Sequence, residues 1–383
     1  MDFKKTEEQE LLLESLRTAY ERGHFEDYFK QCDENHEFPD KAVEVLVEAG
    51  FPSLGIPEEY GGTEVDIMTQ VMVAEEAHSL GWPSLCWINF STEVVDILAF
   101  GNEAQQKAIL ECALQGKKPF TLGFTEPQAG SDSAAMATTA TKRDGKVYIN
   151  GTKTFNTSAD RAPYMLCMAR SGINESPYKD FSMYLFPMDR AGITISKLNK
   201  IGNNMCGTYE VYLEDVECEE SDLVGVECQG FYQLMKNFEV ERLTMCAANV
   251  GMARCAYDEA LKYAAQREQF GKAIGSFQLI QEKLVDMKIK IENMQNMLYK
   301  YAWMKDNGES ISVESSLLKR YSGQAAFEVI DDALQIMGGI GYTHDCRIAR
   351  LWRDQRVYRI MAGTEEIMVH TAGRALVKEA QRA

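Results

Sequence analysis

The spacing of apolar residues changes twice along the chain. Residues 1–118 read helical. In "PDKAVEVLVEAGF" the segment starts at Pro39-Asp40, sets Val43, Leu46 and Ala49 on one face and stops at Gly50, which predicts a short amphipathic helix. "EEYGG" and "GW" mark loops between such segments. From 119 to 228 the period becomes two. "TTATKRDGKVYINGTKTF" holds two strand-like runs around Asp144-Gly145, a strong hairpin signal, and Asn150-Gly151 predicts another turn. "YMLCMAR", "FSMYLFPMD", "GITISKL" and "TYEVYLEDVEC" follow as short strands, and so many strands joined by turns predict a small barrel or sandwich. From 229 to 383 the helical period returns. Leu284, Met287, Ile291, Met294, Leu298 and Tyr301 step by three and four, the seam of a helix bundle, which Asp306-Asn307-Gly308 ends. Further helix is expected from 313 to 336 and towards the C-terminus. The chain therefore reads as α+β, with an N-terminal helical domain (1–118), a middle β-domain (119–228) and a C-terminal helical bundle (229–383).

Composition narrows the classes. The 383 residues suffice for two or three domains with a large core, and 45% apolar content is that of a globular protein. A formal net charge of −18 without a run of Lys and Arg argues against nucleic acid as partner. An anionic ligand would have to be met by local cations or backbone N–H groups. No apolar run reaches membrane-spanning length, and "MDFKKTEEQELLLESL" carries acids where a secretion signal would be apolar, so a cytoplasmic protein is expected. The ten cysteines include no C-x-x-C pair and read as small core residues of a reducing compartment. The five histidines show no ligand spacing, and no metal site is expected.

Five stretches carry candidate chemistry. "FTEPQAGSD" (124–132) is polar, with hydroxyls on Thr125 and Ser131 and close backbone approach at Gly130. "KTFNTS" (153–158) sets Phe155 two residues from Thr157, an arrangement on which a flat cofactor could lie and hydrogen-bond; core packing of Phe155 is the competing reading. "REQFGKAIGSFQ" (267–278) places Arg267 at a break between helices, where a guanidinium meets a phosphate in bidentate fashion or is simply solvated. "QIMGGIGYTH" (335–344) follows a helix rather than a strand and lacks the dinucleotide spacing, so it is not a Rossmann turn, and a tight backbone beside a ligand is the reading left for its glycines. In "RVYRIMAGTEEIM" (356–368), Gly363-Thr364 breaks a helical run and acids follow at once. Trp87 and Phe90 in "LCWINFSTE" belong to either a pocket or a core. The G-x-S-x-G elbow of hydrolases is absent.

Taken together and in order, "IPEEYGG", "TEPQAGSD", "NGTKTFNTS", "FEVERL", "REQFGKAIGSFQLIQEKL", "QIMGGIGY" and "AGTEEIM" resemble the acyl-CoA dehydrogenase family over essentially the whole chain. Within it the likeness is greatest to the crotonobetainyl-CoA reductase branch, through "YFKQCDENHEFP", "QLIQEK" and "KDNG". The resemblance implies N-terminal helices, a middle β-barrel domain, a C-terminal four-helix bundle, one FAD per subunit and a homotetramer. It implies that Phe124, Thr125, Phe155 and Thr157 neighbour the flavin ring, and that Ser131 lies at the thioester arm of the coenzyme, beside cofactor and substrate alike. Arg267 and Gln278 match contacts to the FAD of a neighbouring subunit, as do Gln335 to Gly339, including Gly338. Thr364 and Glu366 match flavin-side residues, and Glu239 and Arg242 match CoA-side positions. The chain departs from the family pattern at Phe155 (Trp in many members), Gln128 (commonly Gly) and Met361-Ala362 (Tyr-Glu in several).

The implied activity is removal of two hydrogens from neighbouring carbons of a CoA thioester, or reduction of a 2-enoyl-CoA, with an electron-transferring flavoprotein as redox partner. Alanine at 362 cannot move a proton, although its backbone N–H, with Gly363 beside it, can still bond a thioester carbonyl. The isovaleryl-CoA and long-chain branches carry the base on another helix, just before an Arg, and "NFEVERLTM" shows that arrangement. Glu241, followed by Arg242, is therefore the expected base, with Glu365 as its rival. The alternative is a non-catalytic subunit that has kept the fold and lost its base.

Overall fold

A computed structural model describes residues 4–87, 91–174 and 176–382. The first helical stretch forms α1 (Glu7–Gly23), α2 (Phe25–Asn35), α3 (Asp40–Glu48), α4 (Ile67–Ser79), α5 (Ser91–Phe100) and α6 (Glu103–Leu114). Local signals set their starts. Thr6 with Gln9, and Asn102 with Gln105, form reciprocal capping boxes, and Asp66 caps α4 by accepting from the Thr69 N–H. Helix α3 begins at Asp40 and gives way to Gly50 at φ 81°.

The period-two region forms β1 (Phe120–Gly123), β2 (Thr139–Arg143), β3 (Lys146–Thr157), β4 (Tyr164–Arg170), β5 (Phe181–Pro187), β6 (Ile193–Lys197), β7 (Thr208–Cys218) and β8 (Leu223–Val224). The strand order is β6-β7-β3-β2-β4-β5-β8, and β1 lies parallel to β4. Strand β4 meets β1 along 164–167 and β2 only at Arg170, so one of its sides is shared between two neighbours. Asp144-Gly145 turns β2 into β3 as its sequence predicts.

Asn150-Gly151 does not turn the chain. It lies inside β3, where the pairing with β7 changes register between Ile149 and Gly151. The Asn150 side chain bonds Asp215 twice, donating to its carboxylate at 3.0 Å and accepting from its N–H at 2.9 Å. Gly151 lies against Thr138, whose Oγ1 would be 2.3 Å from an added Cβ. The pair serves a bulge and a close approach rather than a turn.

The third region forms α7 (Gly230–Gln266), a small hairpin of β9 (Glu268–Gln269) and β10 (Lys272–Ala273), then α8 (Gln278–Asp306), α9 (Ser312–Met337), α10 (Arg347–Gln355) and α11 (Glu365–Ala380). All six seam residues of α8 are buried, while Val285 and Ile289 on its other face are exposed.

The hydrophobic cores cross the borders drawn by periodicity. One joins the first helices to residues of β4 and β5 and to Leu234 of α7. A second, among α7 to α10, takes in Val71 and Ala74 of α4. Helices α4 and α7 touch closely at Gly251, where a Cβ would sit 2.3 Å from the Glu75 carbonyl oxygen. Glu75 then pins three helices, accepting from Arg254 of α7 at 2.5 Å and from Gln295 of α8 at 2.6 Å. Among the described residues no helix is long and apolar enough to cross a membrane.

Candidate active site

A cavity of about 1950 Å³ opens where the three regions meet. A single small-molecule site is typically ~300–1,000 Å³, so this one has room for two large ligands side by side. Its wall combines Phe124, Thr125, Ser131, Phe155 and Thr157 from the β-region, Glu239, Glu241 and Arg242 from α7, and Ala362, Gly363 and Thr364 from the turn before α11. Residues far apart in sequence are thus brought to one space. Trp87 lines it as well, while packing on Phe51 and Trp82. Phe90 lies outside the described residues.

Local structure aims these groups. Strand β3 carries a second register shift between Lys153 and Asn156, and Phe155 within it has φ 58°. The bulge throws its ring out of the sheet, leaving it 66% exposed at the cavity wall and contradicting a core role. The loop bearing Phe124 and Thr125 is held from behind. Buried Glu126 accepts from the N–H groups of Ala137 (2.6 Å) and Thr138 (3.0 Å) and pairs with buried Lys153 at 2.7 Å. Lys153 also donates to the Phe124 carbonyl at 3.3 Å. An ion pair this deep is stable only because both partners have further hydrogen bonds.

Glu241 stands alone. Among the described residues its carboxylate accepts no hydrogen bond and forms no ion pair. Burial pushes its pKa up to about 7, helped by the Glu93 carboxylate and opposed by Arg242 and Lys118. Asp96 of α5, tethered to Asn237 at 3.4 Å, is also raised to about 7, by burial and then by Glu241, against the Asn237 hydrogen bond. Glu239 lines the cavity, but its carboxylate is occupied by Lys305 (3.1 Å), Ser310 (3.2 Å) and the Ile311 N–H (3.4 Å). It clamps α7 to the α8–α9 connection.

The turn before α11 is held in an uncommon conformation. Ala362 and Gly363 both have positive φ, 51° and 88°, and Thr364 caps α11 through the Ile367 N–H. The N–H groups of Ala362, Gly363 and Thr364 donate no hydrogen bond among the described residues. They are donors awaiting an acceptor at the positive end of a helix. Glu365 is turned away. It is buried and bound bidentately by Arg359, at 2.7 and 2.9 Å, with Arg320 at 3.5 Å. More than a favourable helix dipole holds it, and a carboxylate so engaged is unsuited to move a proton.

Local cations stand in the cavity wall despite the acidic net charge. Lys118, Lys200, Arg242, Arg356 and Arg374 line the cavity. Arg242 Nε and Arg356 Nη1 are buried without a partner among the described residues, and burial lowers the pKa of Arg242. Orphaned guanidinium nitrogens of this kind call for an anionic or carbonyl-bearing ligand. Neither Arg356 nor Arg374 has a sequence signal beyond a helix-surface Arg.

Six expected residues lie outside the cavity wall. Arg267 follows α7, Gln278 opens α8, and Gln335, Gly338 and Gly339 close α9; all are exposed. Glu366 is exposed in the first turn of α11. A single chain does not bring them to Phe124, Thr125, Phe155 and Thr157.

The three segments match three family models in order: the acyl-CoA dehydrogenase N-terminal domain over 6–117, middle domain over 121–216 and C-terminal domain over 228–377. The chain belongs to the acyl-CoA dehydrogenase family. It is 46% identical to the probable acyl-CoA dehydrogenase YdiO of Escherichia coli (strain K12), over 100% of both chains. Its fold is similar to butyryl-CoA dehydrogenase from Megasphaera elsdenii, with TM-score 0.90, 28% identity and coverage of 98% of this chain and 100% of that one. It is equally similar to glutaryl-coenzyme A dehydrogenase in complex with glutaryl-CoA, with TM-score 0.91, 28% identity and coverage of 99% and 97%. The protein is thus a flavoprotein oxidoreductase of this family, which binds FAD. The residues present fit that cofactor: an outward-facing aromatic ring for a planar system, hydroxyls beside it, and space for a second ligand.

Proposed function

We propose that this protein transfers hydrogen at the Cα–Cβ bond of a CoA thioester, with Glu241 as its acid–base group. The supporting observation is the pairing of an unpartnered, pKa-raised carboxylate on α7 with a turn at 362 that has no acid of its own. Bound FAD supplies the hydride acceptor or donor for Cβ. Glu241 takes the Cα proton in oxidation and returns it in reduction. A pKa near neutrality suits both directions.

The free N–H of Ala362 bonds the thioester carbonyl, where negative charge builds as the Cα proton leaves. Thr125, Thr157 and the Phe155 ring hold the flavin, and Ser131 and Arg242 hold the coenzyme arm. Arg267, Gln278, Gln335, Gly338 and Gly339 complete the cofactor site of a neighbouring subunit in a homotetramer, with Thr364 and Glu366 on the flavin side of the turn. The working direction is reduction of a 2-enoyl-CoA of the crotonobetainyl-CoA type in the cytoplasm, with electrons exchanged through an electron-transferring flavoprotein.

The test is a panel of acyl- and 2-enoyl-CoA thioesters offered to the purified flavoprotein, oxidised and reduced. Bleaching of the flavin spectrum by an acyl-CoA, or its return with an enoyl-CoA, is expected. A flavoprotein inert to the whole panel in both directions would make the chain a non-catalytic subunit.

A further inference from the structure

Lys319 lies on α9 and is 1% exposed. Among the described residues no carboxylate lies within ion-pair distance of it. Its ammonium donates instead to the backbone carbonyl of Gly363, in the turn that lines the cavity. A charge taken out of water and set against a single neutral carbonyl is costly for the fold, which makes a purely stabilising role a poor explanation. Its place is informative. The carbonyl it binds and the Thr364 N–H are two ends of one peptide group, and the N–H is free to face the cavity. Ala362 and Gly363 both sit at positive φ, so the turn depends on outside support to keep its N–H groups aimed. Arg359 anchors Glu365, the residue just after the turn, and Lys319 holds the Gly363 carbonyl within it.

We infer that Lys319 is a positioning residue for the reaction: it fixes the 362–364 turn, whose Ala362 N–H is the donor proposed for the thioester carbonyl, and it sets a buried positive charge behind that turn. Two effects follow from the geometry. The hydrogen bond polarises the Thr364 N–H at the opposite end of the same peptide and, by restraining that peptide, holds the neighbouring Ala362 N–H in its place. The fixed charge favours negative charge in the cavity without reorganisation during the reaction, an effect that discriminates enolate from ground-state thioester. Lys319 does not line the cavity, so it acts through the turn and not by contact with the substrate.

This inference rests on the acyl-CoA reading above, and the experiment separates the two. Lys319→Met keeps the length and removes donor and charge; Lys319→Gln keeps an N–H donor without charge and serves where the methionine variant does not fold. Each is purified as the flavoprotein, and flavin content, kcat, KM and the ionisation of bound acetoacetyl-CoA, followed by enolate absorbance, are measured. For Lys319→Met we expect normal flavin content, KM within about threefold, kcat lower by about tenfold or more, and the enolate of bound acetoacetyl-CoA harder to form by about one pH unit. Lys319→Gln should fall between it and the wild type. Unchanged kcat and unchanged enolate formation in a folded variant overturn the inference. So does loss of flavin in step with activity, which would make Lys319 structural. Failure of the wild type itself to bind and ionise acetoacetyl-CoA overturns the acyl-CoA reading instead.

Discussion

Two glutamates of similar sequence appeal differ in what surrounds them. Glu241 is half-buried without a partner, whereas Glu365 is wholly engaged by Arg359 and Arg320. Glu241→Gln should retain FAD and lower turnover by about 10³-fold or more, measured by flavin content and single-turnover bleaching. Because burial raises the folded-state pKa of Glu241 from 4.5 to about 7, its contribution to stability is present below pH 4.5 and is lost as pH rises through about 7. The glutamine variant should therefore exceed the wild type in stability at pH 8 by about 1–3 kcal/mol, read by denaturant unfolding. The same pKa gives the activity profile its sign. Oxidation needs the carboxylate and should rise with pH through about 7; reduction needs the acid and should fall. Glu365→Gln should instead cost about 1–3 kcal/mol of stability by unpairing a guanidinium, with kcat per folded enzyme largely kept.

At the level of elements, site geometry depends on how closely helices and strands approach. Helix α7 carries Glu241, and α4 fixes its position through Gly251 against the Glu75 backbone. Gly251→Ala should push the two helices apart and destabilise by about 1–3 kcal/mol, seen as a lower thermal midpoint and weaker flavin retention. Strand β3 shows the same dependence. Its pairing shifts at Phe155 put the ring into the cavity, and regular pairing would return it to the sheet face.

At the scale of the whole molecule, the residues proposed to complete a neighbouring subunit's cofactor site lie away from this copy's own cavity. Arg267 and Gln278 are exposed beside the hairpin of β9 and β10, whose Phe270 is 94% exposed. Arg267→Ala should remove a charge-assisted phosphate contact worth roughly 1.5–3 kcal/mol, with FAD loss on dilution and a weaker oligomer by light scattering. Full flavin occupancy under dilution would show that no second subunit uses this residue.

Periodicity and turn chemistry alone determined most of the architecture. The α8 seam, the α3 limits and the hairpin at Asp144-Gly145 follow from apolar spacing and local backbone preference, which act over a few residues. Alanine at 362 excludes proton transfer there by residue identity alone, but Glu241 was singled out only through the resemblance to branches that carry their base just before an Arg on another helix. Tertiary structure decided the rest. Asn150-Gly151 is a turn signal that pairing with β7 converted into a bulge, since neighbouring strands override a local preference. Glu241 acquired its raised pKa from desolvation and from Glu93, contributed by a different helix. Lys319 interrupts the small and apolar positions of α9, a mismatch visible in "SSLLKRYSG", but its partner lies 44 residues further along. Only folding brings a cation and that carbonyl together, because burial and field are properties of the surroundings and not of the residue.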